Sequence, residues 1–485
     1  MADDLHFLTV QELSRLIATK KLSPVELTRV YIERAETLDR PPFPLPNEPQ
    51  QNHGSKLASI ITLVRDQALE QARIAEREIG SGKIRGPLHG IPYGVKDLLD
   101  SKGVRTTWGS RIFADRIPDA DSAVVEKLNA AGGILMAKMA MAEFAGGNTS
   151  SALNPWKLDR SSMGSSSGTV VGAVAGLIAY GIGSETGGSI VLPAATVGAS
   201  GLRPTFGRVS RFRCMPLSWC LDKLGPVARS AVDCGLILEA IAGHDLRDPS
   251  TADRVFKFRP DPGKIAGRKI AIHRTEFDAV QLPHNRAVFD AALDVFKRMG
   301  AVFEDVTFPD RPYGAVFANI TNVEGGAIFR DLFEDKRIDG MFRYNWSRRA
   351  DWLAGTMAPA SDYLKAQRIR QMVVTETDAL MSKYTAIVAP TSATGAPPRE
   401  APVQPPIPPP PRQPAGRTIP RVNNIANLSG LPGINIPVGF DAEDMPLCVQ
   451  IVGNAWDEQS VLDLAMAFQK ETDWHKRRPP FPYRA

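Results

Sequence analysis

The most chemically distinctive stretch of the chain runs from Met163 to Pro193, MGSSSGTVVGAVAGLIAYGIGSETGGSIVLP, where two serine sites are each flanked by glycine. Glycine beside serine permits tight turns and lets backbone N–H groups converge on one point. Such a cluster can hold the oxyanion that develops when a carbonyl is attacked. Thr186-Gly187-Gly188-Ser189 reads either as a nucleophile inside its own oxyanion hole or as a glycine-rich turn between packed elements. Composition leaves both open. Gly164-Ser165-Ser166-Ser167-Gly168 formally matches the G-x-S-x-G elbow of α/β-hydrolases, with Ser166 central. An elbow needs a hydrophobic strand leading into it, and Lys157 to Ser162 (KLDRSS) is not one, so the match is coincidental.

A serine nucleophile needs a base. None of the seven histidines (6, 53, 89, 244, 273, 284 and 475) sits in a local signature beside an acid, and His89 reads as structural. Lys96 interrupts an apolar stretch expected to be buried. Burial disfavours the ammonium and frees the neutral amine as a base; the competing reading is a strand-end lysine that reaches solvent. Cys214, Cys220, Cys234 and Cys448 form no C-x-x-C pair and no metal-ligand spacing, so they read as reduced small hydrophobes. No metal or cofactor is expected.

The elements that position these residues are partly legible. Thr9 to Leu38 reads as two amphipathic helices, the second with Ser23 as N-cap and Pro24 in its first turn. Arg40 to Gly54 is a surface loop, and a third helix spans about Asp66 to Ile79. A strand holding Val95, Lys96 and Asp97 follows. A helix then leads through Gly132-Gly133 into a strand at Ile134–Ala137, and Ser165 to about Ile178 reads as a buried helix of small residues. Later short runs at Lys269–His273, Ala386–Ala389 and Gly433–Val438 alternate with helical patterns, which argues for a layered α/β fold. The proline-rich stretch from Ala396 to Gly416 reads as an exposed loop, or as a lid over the site.

The 485 residues suggest roughly three domains at about 150 residues each, yet no linker divides them. A net charge of +5, scattered among acids, gives no case for nucleic acid. The N-terminal residues lack a signal-peptide pattern, and Thr169–Gly183 is too short to span a bilayer, so a cytoplasmic location without membrane attachment is expected.

GVKD at Gly94–Asp97, GSSSG at Gly164–Gly168 and TGGSI at Thr186–Ile190 resemble, in order and spacing, the three motifs of the amidase signature family. The likeness extends through SPVELTRVYIERAETLD, AEFAGGNTS, NPWKLDR, GLRPTFGRVS, LDKLGPVARSAVDC, AGHDLRDPST and NLSGLPGINIPVGF. It implies one α/β domain over residues 1–485, with a large mixed central β-sheet covered by helices on both faces. Within it come a helical N-terminal segment (1–80), a catalytic core (about 81–245), a variable substrate-side region (about 246–420) and a C-terminal return (421–485).

The resemblance also implies roles. Ser189 attacks the carbonyl, Ser165 bridges it to Lys96, and the Gly164–Ser165 bond is cis. N–H groups of Thr186, Gly187, Gly188 and Ser189 form the oxyanion hole, with Ser166 and Glu185 in support. Met139, Met141, Phe144, Gly146 and Trp219 are assigned to the substrate, although Met139, Met141 and Phe144 read equally well as core. Two residues depart from the family pattern: Glu185 stands for its usual aspartate and Val191 for its usual arginine. The expected activity is cleavage of small amides, anilides or aryl carbamates by a monomer or homodimer. The alternatives are a glutaminase subunit of a tRNA-dependent amidotransferase and a non-catalytic binding protein.

Overall fold

The apolar, β-branched runs assemble into one mixed sheet. The computed structural model describes residues 5–39, 56–147, 152–342, 345–399 and 421–481. Among these, eleven strands are present: β1 (Ile60–Leu63), β2 (Pro92–Lys96), β3 (Ile134–Met139), β4 (Tyr180–Glu185), β5 (Ser200–Arg203), β6 (Lys223–Ala228), β7 (Lys269–Ile272), β8 (Val302–Asp305), β9 (Ala386–Pro390), β10 (Gly433–Phe440) and β11 (Pro446–Gly453). Their spatial order is β1-β3-β2-β4-β6-β5-β10-β11-β9-β7-β8. β3, β2 and β4 run parallel, as do β9, β7 and β8, while the strands between β4 and β9 pair antiparallel.

Strands β2, β3, β4, β5, β6, β9 and β11 are buried at every position. A strand with no exposed residue needs cover on both faces. Helices supply it, among them Ser167–Val174 against β4 and Glu458–Glu471 against β11. All four segments anticipated from the sequence donate strands to this sheet. The N-terminal one is not purely helical, because β1 closes an edge against β3.

Local chemistry explains the helices that the sequence announced. Thr9 and Glu12 form a capping box ahead of Val10–Ala18. Ser23 accepts from the N–H groups of Val25 and Glu26, with Pro24 opening Pro24–Leu38. The buried helix expected from Ser165 begins only at Ser167. The Ser165 carbonyl instead accepts from Ala142 N–H (3.1 Å), and Ser166 has non-helical dihedrals. The Gly164–Ser165 peptide is cis, as the resemblance implied. Most of the proline-rich stretch, from 400 to 416, lies outside the described residues. No helix among the described residues is long and apolar enough to cross a membrane.

Candidate active site

Two parallel strands and one turn bring the predicted residues together. β2 ends at Lys96, whose side chain is fully buried. Its Nζ donates to Ser165 Oγ at 2.6 Å and to Ser184 Oγ, on β4, at 2.8 Å. Burial lowers the lysine from its ordinary value to about 7, against the opposing pull of Asp222 and Glu185. A neutral amine held this close to a serine hydroxyl has a lone pair available to take that hydroxyl's proton.

Ser165 is buried, and the neighbouring Ser166 N–H donates to the Ser189 carbonyl (3.2 Å). Ser166 Oγ also staples the turn to β4, donating to Ser184 O (3.1 Å) and accepting from Ser184 N–H (3.2 Å). Ser189 is half-buried, and its hydroxyl has no hydrogen-bond partner among the described residues. No histidine among them bonds either serine.

The turn from Thr186 to Ser189 is held from behind. Lys223 Nζ donates to the Thr186 carbonyl (3.4 Å) and Asn423 Nδ2 to the Gly187 carbonyl (3.0 Å). In a planar trans peptide, a carbonyl pointing one way sends the next residue's N–H the other way. The Gly187 and Gly188 N–H groups therefore face away from Lys223 and Asn423. Neither they nor the Ser189 N–H have an acceptor among the described residues. This is a set of donors free to meet a negative oxygen. Gly188 has φ +132°, a backbone region closed to most side chains.

Glu185 and Val191, the two residues set apart in the sequence, both lie in the interior beside the turn. The Glu185 carboxylate accepts from Arg203 Nη1 (2.7 Å), Asn427 Nδ2 (2.9 Å) and the N–H groups of Ile190 (2.8 Å) and Val191 (2.9 Å). Burial works to raise its pKa, but Arg203 and Lys223 outweigh that and hold it below the usual range. A buried cation from β5 thus serves the carboxylate, while Val191 packs in the core.

A cavity of about 220 Å³ reaches Ser184 and Thr186, with Leu98, Ala145, Met215, Leu217 and Trp219 on its wall. Of the residues assigned to the substrate, Trp219 lines it. Met139, Met141, Phe144 and Gly146 do not, for reasons of packing. The Met139 thioether lies where any Cβ at Gly94 or Gly172 would fall, between β2 and the helix Ser167–Val174. Phe144 packs against Phe113, Phe329 and Trp352, Met141 lies against Gly109, and Gly146 faces Arg348.

Sequence reasoning missed Ser184, Arg203, Asp222, Lys223, Asn423 and Asn427. It also missed a second buried lysine: Lys138 on β3 donates to Leu99 O, to Thr106 Oγ1 (2.8 Å) and to Ser101 Oγ (3.3 Å), and lies 3.9 Å from Asp97. For Ser184, Arg203, Lys223 and Lys138 the signal was a polar residue within an apolar strand, and for Asn423 and Asn427 one on an apolar helix; neither named a partner.

The family model described as Amidase matches residues 50–462. The chain is 33% identical to the A-type subunit of the glutamyl-tRNA(Gln) amidotransferase of Moorella thermoacetica, over 98% of this chain and 99% of that protein. It superposes on native peptide amidase from Stenotrophomonas maltophilia with a TM-score of 0.80 and 27% identity, covering 97% and 98% of the two chains. Against the A-type subunit of the glutamyl-tRNA(Gln) amidotransferase of Thermotoga maritima the TM-score is 0.75, with 26% identity over 98% of each chain. With likeness in sequence and fold along almost its whole length, the chain belongs to the amidase family of C–N hydrolases.

Proposed function

We propose that the chain is an amidase that cleaves a small-molecule amide or carbamate through an acyl-enzyme. The 2.6 Å contact between a fully buried lysine and Ser165 carries this reading. Ser189 attacks the carbonyl carbon, its proton passing through Ser165 to neutral Lys96. The oxyanion is met by N–H groups of the Gly187–Ser189 turn. The proton returns through Ser165 to the departing amine, and water then resolves the ester by the reverse relay. The apolar wall around Leu98, Met215 and Leu217 favours an alkyl or aryl substituent on the substrate.

Hydrolysis of primary amides, anilides, esters and aryl carbamates, compared with the Ser189→Ala protein, tests the reading. Ser189→Ala and Lys96→Ala are each expected to lose on the order of 10⁴-fold or more of kcat, with Ser165→Ala severely impaired. Undiminished hydrolysis by Ser189→Ala would remove the nucleophile assignment.

A second reading is a glutaminase subunit that needs partner chains, supported by the 33% full-length identity to the Moorella thermoacetica amidotransferase protein. On the cavity wall, Arg211 is bound to Trp219 O (2.7 Å) and pairs with Asp248, while Arg247 pairs with Glu126 and Asp245. A free amino acid's carboxylate would have to compete with those acids. Glutamine hydrolysis that appears only with co-purified partner subunits would favour this second reading over the first.

A further inference from the structure

The cavity beside Ser184 and Thr186 does not end at Trp219. A second cavity of about 450 Å³, lined by Trp108, Phe113, Ile328, Phe329 and Leu332, shares Met215, Pro216 and Trp219 with it. Taken alone, the inner cavity falls below the roughly 300–1,000 Å³ usual for a small-ligand site; the pair falls inside that range. One acid and one base on the outer wall, Asp331 and Arg337, leave it without net charge.

Trp219 is 53% exposed between the two spaces, yet its loop is not slack. One Asp222 oxygen accepts from the N–H groups of Leu217 (2.7 Å) and Ser218 (2.9 Å). Glu324, from the helix Tyr313–Ile328, accepts from Ser218 Oγ and from Cys220 N–H (3.3 Å), while its other oxygen takes the Tyr363 hydroxyl (2.6 Å). Arg211 holds the Trp219 carbonyl (2.7 Å) and Arg370 that of Cys220 (3.2 Å). Every residue from 217 to 220 is tied. The other Asp222 oxygen accepts from Thr186 Oγ1 (2.6 Å), which sets this loop in register with the turn that carries Ser189. A half-exposed tryptophan whose backbone is fixed from both sides presents its ring from a preorganised position.

Resting on the amidase reading, we infer that Trp219 is a specificity-determining platform and that the substrate is an elongated, uncharged amide. Its reactive carbonyl lies at Ser189, next to the Ser184–Thr186 end of the inner cavity, its arm fills that cavity, and an aryl group at the end of the arm lies beyond Trp219 in the outer one. Glu324 is a positioning residue that acts through the loop.

Calorimetric binding to the full-length Ser189→Ala protein tests this apart from turnover. The probes are 4-nitroacetanilide, the 4-nitroanilide of 4-phenylbutyric acid (long acyl arm) and N-acetyl-4-benzylaniline (long amine arm). One long probe is expected to bind about tenfold or more tighter than the short one, as burial of an aromatic ring implies. Adding Trp219→Ala should cut that ratio by about tenfold. Equal binding of all three probes, or a ratio that survives Trp219→Ala, overturns the platform. Glu324→Ala with Trp219 present should lower the same ratio; a loss equal for short and long probes would reduce Glu324 to a structural role. If one long probe binds by this pattern but the wild-type chain hydrolyses none of the three amides, the amidase reading fails and the platform stands.

Discussion

At the scale of single residues, the protonation of Lys96 governs the proposed chemistry. Burial sets its pKa near 7, and only the neutral amine can accept the serine proton. The kcat of amide hydrolysis is therefore expected to rise with pH through about 7 and to level off above it. Lys96→Arg, charged throughout this range, should show no active limb in the same pH–rate profile. Glu185 offers a second test. Its carboxylate serves four donors, and Glu185→Asp draws it back by one methylene. Some of those buried donors are then left unmet, at a cost of about 1–3 kcal/mol, read as a lower denaturation midpoint. Composition drew attention to Lys96 and to the glycine-flanked serines, but it was the resemblance of GVKD, GSSSG and TGGSI to family motifs that assigned Lys96, Ser165 and Ser189 their roles. Lys138, an equally buried lysine with no such motif around it, passed unnoticed. Asp222, Lys223 and Asn427 were not legible. Each is a single polar side chain, and the site atoms it reaches, the Thr186 hydroxyl and carbonyl and the Glu185 carboxylate, lie tens to hundreds of residues away.

Elements place these residues by close approach. A Cβ on Gly168 would meet Ser59 O at 2.3 Å, Ala140 N at 2.4 Å and Ala140 O at 2.7 Å, all backbone. A Cβ on Gly172, one turn later, would meet only the tip of Met139 at 2.6 Å and, more loosely, Ile178. Gly168→Ala must push the first turn of Ser167–Val174 away from β3, taking Ser165 with it. The expected cost is about 3 kcal/mol or more together with a fall in kcat, whereas Gly172→Ala should cost roughly 1 kcal/mol; chemical denaturation of the two variants checks the contrast. The cap of Pro24–Leu38 was readable from sequence because Ser23 and Pro24 act within one turn; the equally local box of Thr9 and Glu12 emerged only in the structure. The fate of Met139 and Phe144 was not readable, since an apolar side chain in a core and one on a pocket wall leave the same mark in a sequence.

For the molecule as a whole, the buried lysines tie stability to pH. Burial lowers Lys138 to about 8, against Asp97 and Asp100, while an unfolded lysine keeps its proton to about pH 10.4. Between those values the unfolded chain binds more protons, so the contribution of Lys138 to stability grows as pH rises. Urea denaturation of wild type and Lys138→Met at pH 7.5 and pH 10 should show the gap moving in favour of wild type by on the order of 1 kcal/mol or more. The order of the strands bears on how the chain is made. β5, ending at Arg203, pairs on one side with β6 and on the other with β10, which begins only at Gly433. On a ribosome adding about 5–20 residues per second, the first half of the sheet waits roughly 10–50 s with the edge of β5 open. A nascent chain with an unpaired strand edge is a template for pairing with its neighbours, so yield during synthesis should depend on how quickly the stretch between Arg203 and Gly433 is made, and on what shields that edge until β10 follows.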